Sequence, residues 1–143
     1  METTIEKVIY LQRIEMFADI PTEQLAHVAG IAWGVRFDAG EVIYSEGDPS
    51  DALYLLVDGD IKVTREGKVT RKIEVGEAFG IWGFFDRNPR LFTSEVLKES
   101  YLLKIQSDDF YDLIEDRVRL SRGLIKYLVG KIRQLIEETD ILI

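Results

Sequence analysis

Residues 52–75 read ALYLLVDGDIKVTREGKVTRKIEV, and their hydrophobic pattern changes at two glycine-containing pairs. The first six residues form a nearly continuous apolar run, which is typical of a strand buried on both faces. After Asp58-Gly59, and again after Glu66-Gly67, apolar and polar residues alternate with a period of two. We therefore predict short antiparallel strands joined by tight turns at these two pairs.

The same pattern extends over the middle of the chain. Nine of the eleven glycines lie between Gly30 and Gly83, where they mark turns between strands. Further strands are predicted at residues 33–37, 42–45, 91–97 and 100–105. The total is about eight short strands at a spacing of about 8–12 residues, which is typical of a sandwich or a rolled barrel.

Helical periodicity predicts helices at both ends of the chain. Two short helices are expected at 5–12 and 21–29, and a third begins at Ser107, a good N-cap residue. The last helix is expected from 117 to 138.

We predict one domain over residues 1–143, of a mainly β class with flanking helices. The N-terminal helices occupy residues 1–32, the β-barrel occupies 33–105 and the C-terminal helices occupy 107–138. No linker or repeat divides the chain.

The composition excludes several classes of protein. There is no cysteine and only one histidine, His27, which we predict to be a partly buried packing residue of its helix. Disulfide frameworks, zinc sites and histidine-based catalytic triads all need more of these residues, so no metal site and no enzyme is expected. The apolar runs are too short for a membrane span, and the N-terminus does not look like a signal peptide. We therefore expect a cytoplasmic protein.

Charge is distributed unevenly. The net charge is −8, which argues against nucleic-acid binding by this chain alone. Residues 117–134 nevertheless carry six bases and no acid. We interpret this stretch as the solvent face of an amphipathic helix, with an anion or nucleic-acid patch as the alternative.

The last helix also carries an apolar seam. Its residues are spaced by 3, 4 and 3: Ile125, Leu128, Ile132 and Leu135. This seam predicts a homodimer through the 117–138 helix, and the alternative is a helix packed wholly on its own barrel.

Four further stretches have spacings that match a known family. They are MFADIPTEQL (16–25), FDAGEVI (37–43), EGDPSDALY (46–54) and VGEAFG (75–80). Gly59 matches a turn glycine of the same family, and Pro89-Arg90 matches the end of its cassette. From residue 16 to about residue 114 the chain resembles the cyclic nucleotide-binding domain family, as found in catabolite-activator-like effector domains. The resemblance implies a double-stranded β-helix, a jelly-roll-like barrel, between N-terminal helices and a long C-terminal helix.

The family's phosphate-binding cassette is partly altered here. It corresponds to FGIWGFFDRNPRLFT (79–93). The resemblance implies these ligand-binding positions: Phe79, Gly80, Ile81, Trp82, Gly83, Arg90, Leu91 and Phe92. The arginine that pairs with the cyclic phosphate is retained as Arg90. Ile81 stands where the family has a glutamate that accepts the ribose hydroxyl, and Leu91 and Phe92 stand at small positions.

Four side chains of this cassette need separate interpretation. Arg90 binds a phosphate or another anion, or it pairs with a neighbouring acid such as Asp86 or Glu95. Strand alternation places Leu91 and Phe92 on opposite faces, so at most one of them enters the pocket. Trp82 is predicted to be a core residue rather than a platform for a base.

These observations predict a small-molecule-binding regulatory or sensor domain with weak or altered ligand specificity. A cyclic nucleotide such as cAMP or cGMP is the ligand implied by the resemblance, and no other cofactor is expected. The alternative is a module that binds no ligand and acts through protein contacts or dimerisation.

Overall fold

Residues 2–139 are described by the computed structural model, with helices at the ends and strands in the middle. The helices are α1 (Thr4–Gln12), α2 (Thr22–Ala29), α3 (Ile81–Phe84), α4 (Ser107–Ile114) and α5 (Val118–Thr139), with a short 3-10 helix at Glu15–Phe17. The strands are β1 (Ala32–Phe37), β2 (Val42–Tyr44), β3 (Ala52–Arg65), β4 (Lys68–Ile73), β5 (Ala78–Phe79) and β6 (Thr93–Gln106). The predicted arrangement of strands between terminal helices is confirmed.

All described strands pair antiparallel in one sheet. The order is β1-β6-β3-β4, with β2 added to β6 and β5 added to β3. The two 14-residue strands, β3 and β6, pair along almost their whole length, from Ala52 opposite Gln106 to Thr64 opposite Thr93. This long pair is the framework on which the shorter strands and the helices are placed.

The predicted turn at Asp58-Gly59 is wrong. The chain continues through it as β3, and the pairing with β6 shifts register on both sides of Asp58. Gly59 has φ 135° and lies directly against Ser100, so this point is a bulge in a bent strand rather than a hairpin. The two strands predicted at 91–97 and 100–105 are likewise one strand, β6. The sheet therefore has six described strands instead of about eight, while the Glu66-Gly67 hairpin turn is confirmed.

Both faces of the first half of β3 are buried, as predicted. Leu53 and Leu55 belong to a core cluster that lies between the sheet and the helices. Tyr54 and Leu56 belong to a second cluster that lies within the folded sheet. The alternation of a strand therefore joins two separate cores, and the second core lies beside the cavity described below.

Two predictions about individual helix residues are wrong. Ser107 is the first residue of α4 rather than its N-cap, and its backbone N–H donates to the carbonyl of Asp51 at 2.9 Å. That bond satisfies one of the free N–H groups at the start of the helix, and no side chain caps it. His27 is exposed, because the buried face of α2 is formed by Leu25 and Val28.

α5 has a buried face and an exposed apolar stripe. Leu120 and Leu124 are buried in the core, and Leu128 packs partly against it. Ile125 and Ile132 are 60% and 47% exposed. Only part of the predicted seam therefore contacts the domain itself.

Three of the six bases in 117–134 form ion pairs with the N-terminal segment. Arg119 lies 3.1 Å from Glu23, Lys126 lies 3.6 Å from Asp19 and Lys131 lies 3.5 Å from Glu15. The acids recur every four residues and run antiparallel to the bases of α5. This arrangement supports the interpretation of a solvent-facing helix surface over that of an anion patch.

Candidate ligand-binding site

A cavity of about 460 Å³ lies between the sheet, the segment 79–92 and α5. Its apolar and aromatic wall comes from the sheet and from that segment: Tyr44, Val63, Ile73, Ala78, Phe79, Gly80, Ile81, Trp82 and Phe92. Its remaining wall, largely polar, comes from β4, the turn before β5 and α5: Thr70, Arg71, Glu77, Tyr127, Lys131, Gln134, Leu135 and Glu138. The volume is within the range of small-molecule sites, about 300–1,000 Å³.

Five of the eight residues that the resemblance assigned to ligand binding line this cavity. They are Phe79, Gly80, Ile81, Trp82 and Phe92. Gly83, Arg90 and Leu91 do not line it. Leu91 is 46% exposed, so only one residue of the pair Leu91-Phe92 enters the cavity, as predicted.

Trp82 is at the edge of the cavity rather than in the core. Its side chain is 42% exposed and contributes to the cavity wall, so the prediction of a core residue is wrong. The physical reason is local, since Trp82 has an extended backbone (ψ 119°) inside the short helix α3. This break in the helix separates Trp82 from its buried neighbours Ile81 and Phe84.

Gly80 and Gly83 shape the segment that carries Ile81 and Trp82. Both have positive φ, 80° and 101°, a region that favours glycine. A Cβ on Gly80 would lie 2.6 Å from Nη1 of Arg90, and a Cβ on Gly83 would collide with Ser50. Close packing therefore requires glycine at both positions, whatever the ligand.

The guanidinium of Arg90 is bound by the protein itself. Nη2 donates to the carbonyl of Ala52 at 2.7 Å, and Nη1 donates to the carbonyl of Gly80 at 3.2 Å. Nη2 also lies 3.5 Å from a carboxylate oxygen of Asp51. The acid that Arg90 meets is thus Asp51, and the predicted partners Asp86 and Glu95 are wrong.

Those two acids have other contacts. Asp86 accepts a hydrogen bond from the backbone N–H of Asn88 at 3.0 Å, which lowers the pKa of its carboxyl group. Glu95 lies 2.9 Å from Nζ of Lys62, its cross-strand partner on β3. Both acids therefore stabilise their own turn or strand pair.

Tyr44 covers one face of this arginine. The centre of the guanidinium of Arg90 lies 4.1 Å from the centroid of the Tyr44 ring, a cation–π contact. Tyr44 also packs beside Tyr54 and Phe79, with ring centroids 6.1 and 6.3 Å away. Burial raises the pKa of Tyr44 to about 12, so its hydroxyl remains protonated at neutral pH. Because Tyr44 lines the cavity and Arg90 does not, the cavity meets a ring here and not a charge.

Each of the two described cations of the cavity wall is paired with an acid. Arg71 forms an ion pair with Glu77, and both line the cavity. Lys131 lies 3.5 Å from Glu15, and its Nζ lies 5.4 Å from the centroid of the Tyr127 ring. Burial raises the pKa of Tyr127, and the nearby carboxylates of Glu15 and Glu77 raise it further. The two described cations of the cavity wall are therefore already neutralised.

The sequence analysis missed the helix residues of the cavity and also missed Tyr44. Tyr127, Lys131 and Leu135 recur every four residues, so helical spacing alone places them on one face of α5. Tyr44 has no such signal, because it lies on β2, more than thirty residues before the cassette. Its contact with Arg90 depends on the pairing of β2 with β6.

The described part of the chain has neither a cluster of metal ligands nor a membrane-spanning helix. No group of three or more His, Cys, Asp or Glu side chains within residues 2–139 is arranged to hold a metal ion. Over the same residues, every helix is too short or too polar to cross a membrane.

Comparison with known proteins gives a consistent result. Residues 34–117, more than half of the chain, match the sequence profile of the cyclic nucleotide-binding domain. The chain is similar to a CRP-like cAMP-activated global transcriptional regulator of Mycobacterium tuberculosis, with 25% identity over 129 residues, 87% of this chain and 58% of that protein. It is also similar to a cAMP-dependent protein kinase regulatory subunit of Emericella nidulans, with 29% identity over 107 residues, 73% of this chain and 26% of that protein. The chain thus spans about half, or less, of the length of these relatives.

A solved structure has the same fold along nearly its whole length. It is the N-terminal domain of a transcriptional regulator from Streptomyces coelicolor A3(2), with a TM-score of 0.79 and 26% identity. The match covers 90% of this chain and 95% of that chain. The predicted jelly-roll-like class, mainly β with flanking helices, is confirmed.

Proposed function

Because this chain belongs to the cyclic nucleotide-binding domain family, we propose that it is a regulatory domain that senses a small molecule in the cavity beside α5. The observation that carries the proposal is the shared wall of this cavity. Ile81, from the cassette, and Lys131, from α5, line the same space. A ligand that fills it contacts the helix directly, and binding then changes how α5 packs on the domain.

Cyclic nucleotides are expected to bind weakly to the unmodified chain. The side chain of Ile81 offers no hydrogen-bond acceptor for a ribose hydroxyl, and the ring of Phe92 occupies part of the cavity wall. Arg90 donates to two backbone carbonyls, which a cyclic phosphate would have to displace. We propose the lining residues of the cassette as the ligand contacts, and Arg90 as an anion partner only when it is uncovered.

A second candidate function is a module that binds no ligand and acts through protein contacts. The observation that favours it is that both terminal nitrogens of Arg90 already contact protein groups, the carbonyls of Ala52 and Gly80 and the carboxylate of Asp51. The apolar stripe of α5 around Ile125 and Ile132 would then be the functional surface. A chemical reaction forms no part of either candidate.

Calorimetric titration with cAMP and cGMP separates the two candidates. The proteins are the unmodified chain, Ile81→Glu, and Ile81→Glu combined with Phe92→Ala. A regained hydrogen bond with a charged partner is worth about 1.5–3 kcal/mol, or roughly a 10- to 150-fold gain in affinity. We expect Ile81→Glu to gain affinity within this range and the double variant to gain more.

Leu91→Ser is the matched control, because Leu91 neighbours Phe92 in sequence but lies outside the cavity. Combined with Ile81→Glu, it should add nothing. A double variant, Ile81→Glu with Phe92→Ala, that folds and binds neither nucleotide would favour the second candidate. Tight binding by the unmodified chain would show that the altered positions do not weaken recognition.

A further inference from the structure

The described charges on the cavity wall sum to zero. Arg71 and Lys131 contribute the positive charges, and Glu77 and Glu138 contribute the negative charges. Arg71 is paired with Glu77, so their charges offset each other. All four come from β4, the turn before β5, or α5. The wall formed by the other strands and by the segment 79–92 is apolar or aromatic.

Arg90 does not supply the missing positive charge. It is 3% exposed and is the only charged side chain among the buried residues of the described chain. Nη1 and Nη2 donate to the carbonyls of Gly80 and Ala52, Nε is buried without a hydrogen-bond partner, and Tyr44 covers one face of the guanidinium. The cavity therefore lies beside a positive charge that it does not contact.

We propose that Tyr44 determines the chemical class of the ligand. By covering Arg90, it makes this cavity a site for an uncharged, apolar molecule and disfavours cyclic phosphates and other anions. The inference rests on the proposed function, because it names the ligand of the same cavity.

Desolvation is the physical reason for this selectivity. An anion that enters an apolar cavity loses its hydration and must find a compensating charge or donors. Tyr44, Phe79 and Phe92 present rings to the cavity instead. An uncharged aromatic or aliphatic molecule loses little hydration and gains contact with these rings.

Two fluorescent probes with the same ring system test the inference. N-phenyl-1-naphthylamine is uncharged, and 1-anilinonaphthalene-8-sulfonate adds one sulfonate to the same rings. We expect the unmodified chain to bind the uncharged probe at least tenfold more tightly. Ile81→Glu should weaken its binding at least tenfold, which locates the probe in the cavity, whereas Ile125→Glu on the exposed stripe of α5 should not.

Variants of Tyr44 test its assigned role. Tyr44→Ala should lower the preference for the uncharged probe at least tenfold, because Arg90 then faces the cavity. Adding Arg90→Met to this variant should restore the preference, and Tyr44→Phe should keep it. Tyr54→Ala is the matched control, because Tyr54 belongs to the same ring cluster but does not line the cavity. Tyr44→Leu repeats the test with a larger apolar side chain if the alanine variant does not fold.

The outcomes separate this inference from the proposed function. Equal affinity of the unmodified chain for both probes would overturn the inference, and so would an unchanged preference in the folded Tyr44 variants. Binding of neither probe would overturn the inference alone, because the titrations with cAMP and cGMP test the proposed function separately. A confirmed preference without any response of α5 to the bound probe would support the inference and contradict the proposed function alone.

Discussion

Arg90 has two possible roles in this fold, and its contacts favour the structural one. Its guanidinium connects the start of β3, through the carbonyl of Ala52, to the cassette, through the carbonyl of Gly80. Asp51 is too exposed to add much to this attachment, since surface ion pairs are worth about 0–1 kcal/mol. The hydrogen bonds to the two carbonyls, together with the cation–π contact with Tyr44, therefore carry most of the contribution of Arg90 to stability.

Replacing Arg90 should lower the free energy of unfolding without any ligand present. Arg90→Met removes the donors for both carbonyls at similar side-chain volume, and we expect a loss of about 2–4 kcal/mol. The control is Arg119→Met, which removes an exposed ion pair with Glu23 and should cost no more than about 1 kcal/mol. Urea denaturation measures both values. Equal losses in the two variants would contradict a structural role for Arg90.

At the scale of elements, the sequence predicted the faces of β3 correctly but not its length. The alternation of Leu53 and Tyr54 into two cores follows from the period of a strand. An acidic residue followed by glycine, however, is compatible with both a hairpin turn and a bulge. Only the pairing with β6 distinguishes the two at Asp58-Gly59. Gly59 is a bulge because Ser100 of β6 lies against it, whereas Gly67 is a turn with open space beside it.

The candidate site was likewise predicted only in part. The resemblance located the cassette positions, because they are adjacent in sequence and their spacing is preserved. It did not locate Tyr44 or Glu77, since their place in the site depends on which strands pair and where the turn before β5 lies. The hydrogen bonds from Arg90 to backbone carbonyls could also not be predicted, because no sequence pattern indicates which carbonyl accepts from a buried donor.

α5 is the element whose exposed stripe predicts association. Leu120 and Leu124 are buried in the core, whereas Ile125 and Ile132 are exposed. We propose that Ile125 and Ile132 contact a second copy of the chain. Light scattering should then give twice the monomer mass, and Ile132→Glu should weaken the dimer at least tenfold by placing a charge in the stripe.

Arg133→Glu is the control for this prediction, because residue 133 is exposed and adjacent to residue 132 but lies beside the stripe. It should leave the dimer intact. A monomeric unmodified chain would contradict the proposal, and the exposed stripe would then have no partner copy.

At the scale of the whole molecule, α5 connects the cavity to the segment that carries Glu15, Asp19 and Glu23. Lys131 lines the cavity and lies 3.5 Å from Glu15, and the pairs of Lys126 with Asp19 and of Arg119 with Glu23 continue this contact along the N-terminal segment. These exposed pairs contribute little free energy individually. They lie along one side of α5, so a ligand that moves this helix also moves its contacts with the N-terminal segment.

Amide hydrogen exchange in α5, measured with and without bound N-phenyl-1-naphthylamine, tests most directly whether a ligand in the cavity acts on this helix. Local opening of the helix governs this exchange, and a ligand that contacts Tyr127 and Lys131 changes the free energy of that opening. We predict that the amides of residues 127–135 exchange at least threefold more slowly when the probe is bound, while the amides of α1 are unchanged. Saturating occupancy of the cavity with no change in the exchange of α5 would contradict the proposed function.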